Sequence, residues 1–229
     1  MLDHAASDAP HPTPHTLVKI CGLSTPDAVE AALDGGATHL GFVFFPKSPR
    51  DIDPLMAAEL AGMARGKALT VAVVVDPDDA LLDRLQAEVA PDLYQLHGAE
   101  TPERVAAVRA RTGAGVIKAV PVTARADLDG ASAYEDVADH LMFDAKPSGD
   151  LPGGAGRSFD WGLLRGRSFA KPWFLAGGLD AKSVGPALRI TGAPGVDVSS
   201  GVESAPGVKD PASIAAFLRA ARTAQARPL

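Results

Sequence analysis

Short, uninterrupted apolar runs recur along this chain and constrain it more than any other feature. Leu69-Thr70-Val71-Ala72-Val73-Val74-Val75 is the clearest of them. A strand with one face in water alternates apolar and polar residues, whereas a continuous run suits a parallel strand covered on both faces. Between the runs lie segments with helix signals. Residues 17–21 are followed by a helix over 25–36, where Thr25 can cap, Pro26 suits the first helical position and Gly35-Gly36 end it. The alternation continues with strands over 39–44, 69–75, 93–96, 116–120, 140–144, 173–176 and 196–199. Helices are expected over 54–65, 77–89 (capped by Asp76), 101–111 (capped by Thr101) and from Thr123 through Asp127 to Tyr134. Further helical segments are expected over 159–164, 180–189 and 210–222. Eight strand–helix units predict an α/β protein, a single (β/α)8 TIM barrel. A doubly wound open sheet is the alternative, but the early Gly-x-Gly-x-x-Gly turn of a dinucleotide fold is missing.

With 229 residues, 46% of them hydrophobic, the chain has material for one sizeable core. The barrel is expected over 16–229. Residues 1–15, rich in Pro, His, Asp and Ala, are expected to be a disordered extension; they lack the basic start and apolar centre of a signal peptide. A net charge of -6 does not suggest a nucleic-acid or anionic-membrane partner, and no apolar stretch approaches the ~20 residues needed to span a bilayer. The single cysteine, Cys21, excludes an intrachain disulfide and a cysteine-cluster metal site, and fits a reducing, cytoplasmic setting. Six histidines show no metal spacing, with His4, His11 and His15 in the tail, so no metal is expected.

In such a barrel, catalytic groups sit at the carboxyl ends of the strands. Polar residues cluster there: Cys21, Arg50, Asp76, His97, Asp144 and Asp197 to Ser200. Lys19 shares a strand face with Cys21 and lies roughly 6–7 Å deeper, where its ammonium can favour a thiolate. Cys21 equally reads as a small buried hydrophobe. Asp144 is either paired, with Lys146 the neighbouring candidate, or functional. Arg50 can clamp a carboxylate or lie solvated on the surface. The glycine-bearing stretches 175–179 and 196–203 follow the seventh and eighth strands, where barrels often hold phosphate on backbone N–H groups. Pro152-Gly153-Gly154-Ala155-Gly156 reads as a lid, a phosphate cradle or a plain connection.

Together these pieces resemble the phosphoribosylanthranilate isomerase family of tryptophan biosynthesis, over about 17–218. The resemblance rests on Val18-Lys19-Ile20-Cys21-Gly22, on Gly41-Phe42-Val43-Phe44 through Ser48-Pro49-Arg50, and on Gln95-Leu96-His97-Gly98. It continues through Phe143-Asp144-Ala145-Lys146, Gly153-Gly154-Ala155-Gly156 with Phe159-Asp160-Trp161, Leu175-Ala176-Gly177-Gly178-Leu179, and Asp197-Val198-Ser199-Ser200-Gly201-Val202-Glu203. It implies Cys21 as general base, Asp144 as general acid, and Arg50 near the anthranilate carboxylate. His97, Gly154, Gly156, Gly177, Gly178, Asp197, Ser199, Ser200 and Gly201 are the remaining substrate-binding candidates, the glycine loops on the phosphate. The implied reaction is the Amadori rearrangement of N-(5-phosphoribosyl)anthranilate, which needs no cofactor. The partner implied is that small phosphorylated substrate, and the chain a monomer or homodimer. Ala155 departs from the threonine common in the family. An indole-glycerol-phosphate synthase would want a catalytic lysine set, a pentose-phosphate epimerase metal-binding histidines and aspartates, and a dual-substrate isomerase an aspartate at Cys21. A barrel that only binds a phosphorylated ligand has no use for both Cys21 and Asp144.

Overall fold

The computed structural model describes residues 16–145 and 158–225. Eight parallel strands close into a barrel in chain order: β1 (Leu17–Cys21), β2 (His39–Val43), β3 (Leu69–Val74), β4 (Leu93–Leu96), β5 (Gly115–Val122), β6 (His140–Ala145), β7 (Trp173–Leu175) and β8 (Gly195–Val198). The ring shuts where β8 pairs with β1, which sets Lys19 beside Asp197. Helices α1 (Pro26–Asp34), α2 (Pro54–Ala64), α3 (Asp79–Glu88), α4 (Pro102–Thr112), α5 (Arg125–Gly130), α6 (Val184–Thr191) and α7 (Pro211–Gln225) pack outside.

The continuous apolar runs have a direct cause. Every residue of β2, β4 and β8 is buried, because one face meets the helices and the other fills the barrel. The outer layer packs residues such as Ile20, Leu40, Phe42, Leu82, Val108 and Phe217. The inner layer holds Val43, Val71, Val73, Leu93, Ile117, Met142 and Phe174. Chain chemistry sets the helix starts: Asp53, Asp78 and Thr101 each accept a backbone N–H of the first turn, and Pro54 and Pro102 follow two of them.

Several expected boundaries shift. Asp76 does not cap a helix from residue 77; α3 starts at Asp79 under Asp78. Asp76 instead turns to φ 44 and its carboxylate accepts the Ala99 N–H. Thr25 holds the N-cap position of α1 without a side-chain bond. The stretch from Thr123 begins its helix only at Arg125, because β5 runs on to Val122 and Asp127 accepts the N–H groups of Thr123 and Ala124. α6 starts at Val184 rather than 180, because Asp180 turns the chain by accepting from Lys182 and Ser183. Residues 159–164 form only a 3-10 turn at Trp161–Leu164. A hairpin, β9 (Glu203–Ala205) with β10 (Val208–Lys209), follows β8 where the sequence suggested only a loop. The expected tail over 1–15 and the glycine loop with Gly154, Ala155 and Gly156 lie outside the described residues. Among the described residues no helix is long and apolar enough to cross a membrane.

Candidate active site

Strand alternation sends Lys19 and Cys21, Gln95 and His97, Met142 and Asp144, and Asp197 and Ser199 to the barrel interior. At the carboxyl end, Cys21, Arg50, His97, Asp144, Asp197 and Ser199 line one small cavity of about 50 Å³. A larger concavity of about 650 Å³ lies at the opposite end, among Leu17, His39, Arg65, Leu69 and Asp92. That one brings together no thiol and carboxylate, so chemistry rather than size locates the site.

Two walls face the small cavity. On the first, Cys21 is 7% exposed. Burial pushes its thiol up, Lys19 and Lys209 pull it down, and Asp197 pushes it up again; burial wins. The Lys19 ammonium, wholly buried, sits 2.7 Å from Asp197 Oδ1. Burial alone would lower it, but Asp197 and then Cys21 hold its proton above the ordinary lysine value. Lys19 is therefore shared between carboxylate and sulfur and does not by itself make a resting thiolate. Gly41 keeps this pocket open: a Cβ there would stand 2.9 Å from Lys19 Nζ and 3.2 Å from Cys21 Sγ.

Arg50 belongs to the same wall. Its Nε and Nη2 donate to the two Glu203 oxygens at 2.7 and 2.9 Å, a bidentate pair. Lys209 Nζ adds a 2.6 Å bond to Glu203 and a 2.9 Å bond to the Ser199 carbonyl. Burial raises the Glu203 carboxyl, yet Arg50 and Lys209 bring it below its usual value. Ser199 Oγ donates to the Cys21 carbonyl, tying β8 to β1.

On the second wall, Asp144 Oδ2 lies 3.2 Å from His97 Nε2, and Oδ1 accepts the Ala145 N–H at 2.7 Å. Gln95 Nε2 is 2.9 Å from His97 Nδ1. The imidazole sits between the Gln95 amide and the Asp144 carboxyl. The Asp144 partner is thus His97; Lys146, the neighbour considered from sequence, lies outside the described residues. Gly177, at φ +86, passes so close that a Cβ would stand 2.9 Å from Asp144 Oδ1. Gly178 follows at φ +65. Ser200 and Gly201 open a 3-10 turn, Ser200–Val202, and Gly201 packs against the Leu179 carbonyl, so the loops after β7 and β8 touch.

Most sequence candidates therefore gather at one mouth, Gly154 and Gly156 lying outside the described residues. Sequence reasoning missed Gln95, Glu203 and Lys209 as parts of the site. Their residue types are ordinary for a strand and a loop, and only proximity gives them roles. Among the described residues no three His, Cys, Asp or Glu side chains converge as a metal site.

Comparison with known proteins adds an independent line. The family model described as N-(5'phosphoribosyl)anthranilate (PRA) isomerase matches residues 18–220. A relative of that name from Caulobacter vibrioides is 60% identical over 210 residues, covering 90% of this chain and 96% of the relative. A second, from Caulobacter sp. (strain K31), is 59% identical and covers 89% of this chain and 97% of the relative. Among solved structures, the phosphoribosyl anthranilate isomerase of Thermotoga maritima superposes with a TM-score of 0.81 at 33% identity, over 91% of this chain and 99% of that one. A phosphoribosyl anthranilate isomerase in complex with reduced 1-(o-carboxyphenylamino)-1-deoxyribulose 5-phosphate superposes at 0.78 and 32% identity, over 91% and 99% of the two chains.

Proposed function

The chain belongs to the N-(5'-phosphoribosyl)anthranilate isomerase family of tryptophan biosynthesis and is an isomerase of that kind, and from that premise we propose that Cys21 is the general base and Asp144 the general acid of its Amadori rearrangement. The observation that carries this assignment is that the thiol and the carboxylate end two different strands, β1 and β6, and line one cavity.

The reaction opens a furanose ring and moves a proton from C2 to C1 with no net redox change. Protonated Asp144 gives its proton to the ring oxygen, and the amine nitrogen lone pair forms the Schiff base as the C1–O bond breaks. The Cys21 thiolate takes the C2 proton, leaving an enolamine. Cys21 then protonates C1 and Asp144 accepts the C2 hydroxyl proton, which yields the ketone and restores both groups. Burial opposes the thiolate that this needs, while Lys19 and Lys209 favour it. His97 binds the substrate face beside Asp144. Arg50, already turned by Glu203, offers guanidinium character to the anthranilate carboxylate. Gly177, Gly178, Ser199, Ser200 and Gly201, with Gly154 and Gly156, supply backbone donors for the phosphate, and Asp197 holds Lys19 beneath. The substrate is the small phosphorylated aminoaldose, and the protein works in the cytoplasm.

Turnover of freshly generated phosphoribosylanthranilate tests the assignment. Cys21→Ala and Asp144→Asn should each lower kcat by about 10²–10⁴-fold, with the circular dichroism of the barrel unchanged. Near-normal turnover in either variant removes that residue from its role.

A further inference from the structure

Lys118, on β5, is 3% exposed and takes no part in the chemistry above. Its ammonium donates to Glu100 Oε2 at 2.7 Å, to the Gly98 carbonyl at 2.8 Å and to the Leu96 carbonyl at 3.3 Å. Glu100, also buried, accepts the Asp76 N–H at 2.9 Å and the Gly98 N–H at 3.0 Å. The Tyr134 hydroxyl donates to the Glu100 carbonyl at 3.0 Å, and its ring lies 5.7 Å from the ammonium.

Two facts make this more than a structural ion pair. First, the carbonyls that Lys118 holds belong to the residues on either side of His97, whose Nε2 lies 3.2 Å from Asp144 Oδ2. Second, the surrounding backbone is forced. Asp76 sits at φ 44, and Gly98 has no room for a side chain, because a Cβ would stand 2.3 Å from Asp76 Oδ1. Strained backbone persists where its surroundings over-determine it, and it gathers at functional sites. A buried ion pair, by contrast, is often no more stabilising than apolar residues of the same volume. Stability alone is a weak reason to bury a lysine and a glutamate here.

We infer that Lys118, together with Glu100, is a positioning residue for the isomerisation: it fixes the backbone on both sides of His97 so that the imidazole stays beside Asp144. This rests on the acid role of Asp144 proposed above. Lys118 touches neither the cavity nor Asp144 and acts only through His97.

The test uses the full chain carrying Lys118→Met. A second variant, Lys118→Met with Glu100→Gln, leaves no unpaired buried charge and keeps an acceptor for the Asp76 and Gly98 N–H groups, in case the single variant does not fold. The expected result is a fall in kcat on the order of 10²-fold, the effect of about 1 Å of misplacement, with KM changed by less than about twofold. The nitrogen-15 NMR signals of the His97 ring, assigned with His97→Gln, should move from their positions in the unsubstituted protein. Unchanged kcat, or a fallen kcat with an unchanged His97 signal, overturns the inference. Asp144→Asn separates the two ideas. Near-normal turnover in that variant defeats the acid assignment and the positioning role with it. Lost turnover there, with kcat and the His97 signal intact in both Lys118 variants, defeats the positioning role alone.

Discussion

At the carboxyl end of the barrel, buried charges come in partnered sets: Lys19 with Asp197, Arg50 and Lys209 with Glu203, and Lys118 with Glu100. At the amino end, among the described residues, the interior polar groups are two histidines, His39 and His140, which pack on Phe174 and on each other with ring centroids 5.1 to 6.0 Å apart. His39 Nε2 and His140 Nδ1 have no hydrogen-bond partner among the described residues. Burial pushes His39 down to about 3 and lowers His140 as well, so both are neutral at neutral pH. One end of a single barrel spends desolvation on fixed charge, and the other suppresses charge. The difference teaches where to look for chemistry. Proton transfer needs an acid and a base facing one space, and the smaller cavity brings a thiol and a carboxylate together while the larger does not.

The largest effect expected at the charged end is on stability. Lys19→Met leaves Asp197 buried without its cation and should lower unfolding free energy by about 3–5 kcal/mol. Adding Asp197→Leu should return most of that. Chemical denaturation reads both, and a single-variant loss below about 1 kcal/mol would mean that water reaches the pair. Next comes Gly177→Ala, which puts a side chain at φ +86 beside the Asp144 carboxylate. Strain of about 1–3 kcal/mol is expected, with kcat falling more than KM changes; an unaltered kcat would show that Asp144 tolerates the displacement. Glu203→Gln weakens the grip on Arg50. KM should rise about tenfold, equivalent to about 1.4 kcal/mol, and a constant KM would count against Arg50 as a carboxylate contact.

The smallest effect tests the neutral end. The unfolded chain takes up a proton at His39 near 6.5, while the folded chain refuses it until about 3. The unfolded state therefore binds more protons in that window, and stability falls as pH falls through it. The groups felt by His39 are His140, Lys19 and Asp92, and burial outweighs all three. Between pH 6.5 and about 5.5 the loss should be about 1 kcal/mol. His39→Leu should flatten that slope. Equal slopes in the two proteins would assign the proton uptake elsewhere.

The strands were legible because their signal is local. Parallel strands buried on both faces must be apolar throughout, and β1 through β8 appear within a residue or two of their expected limits. Cys21 and Asp144 were legible for a related reason, since a polar residue ending such a run points to the mouth of the barrel. Helix starts were less so. Asp76 reads as a cap and Asp180 as the first residue of a helix, but their carboxylates bond loop N–H groups instead, and a sequence does not say which N–H an aspartate will meet. The hairpin after β8 went unread because its two short strands carry no run of apolar residues.

By itself the sequence determined eight alternating units, the order of the strands, and a thiol and a carboxylate at two strand ends, together with a motif order shared with one isomerase family. Each follows from neighbours along the chain. Only the tertiary structure decided that Lys19 meets Asp197, 178 positions away, that Arg50 meets Glu203, 153 positions away, and that His97 rather than a sequence neighbour faces Asp144. The physical reason is closure. Pairing β8 with β1 brings the two ends of the chain together, and the partner of each buried charge is then set by barrel register and by the desolvation that an unpartnered charge would suffer.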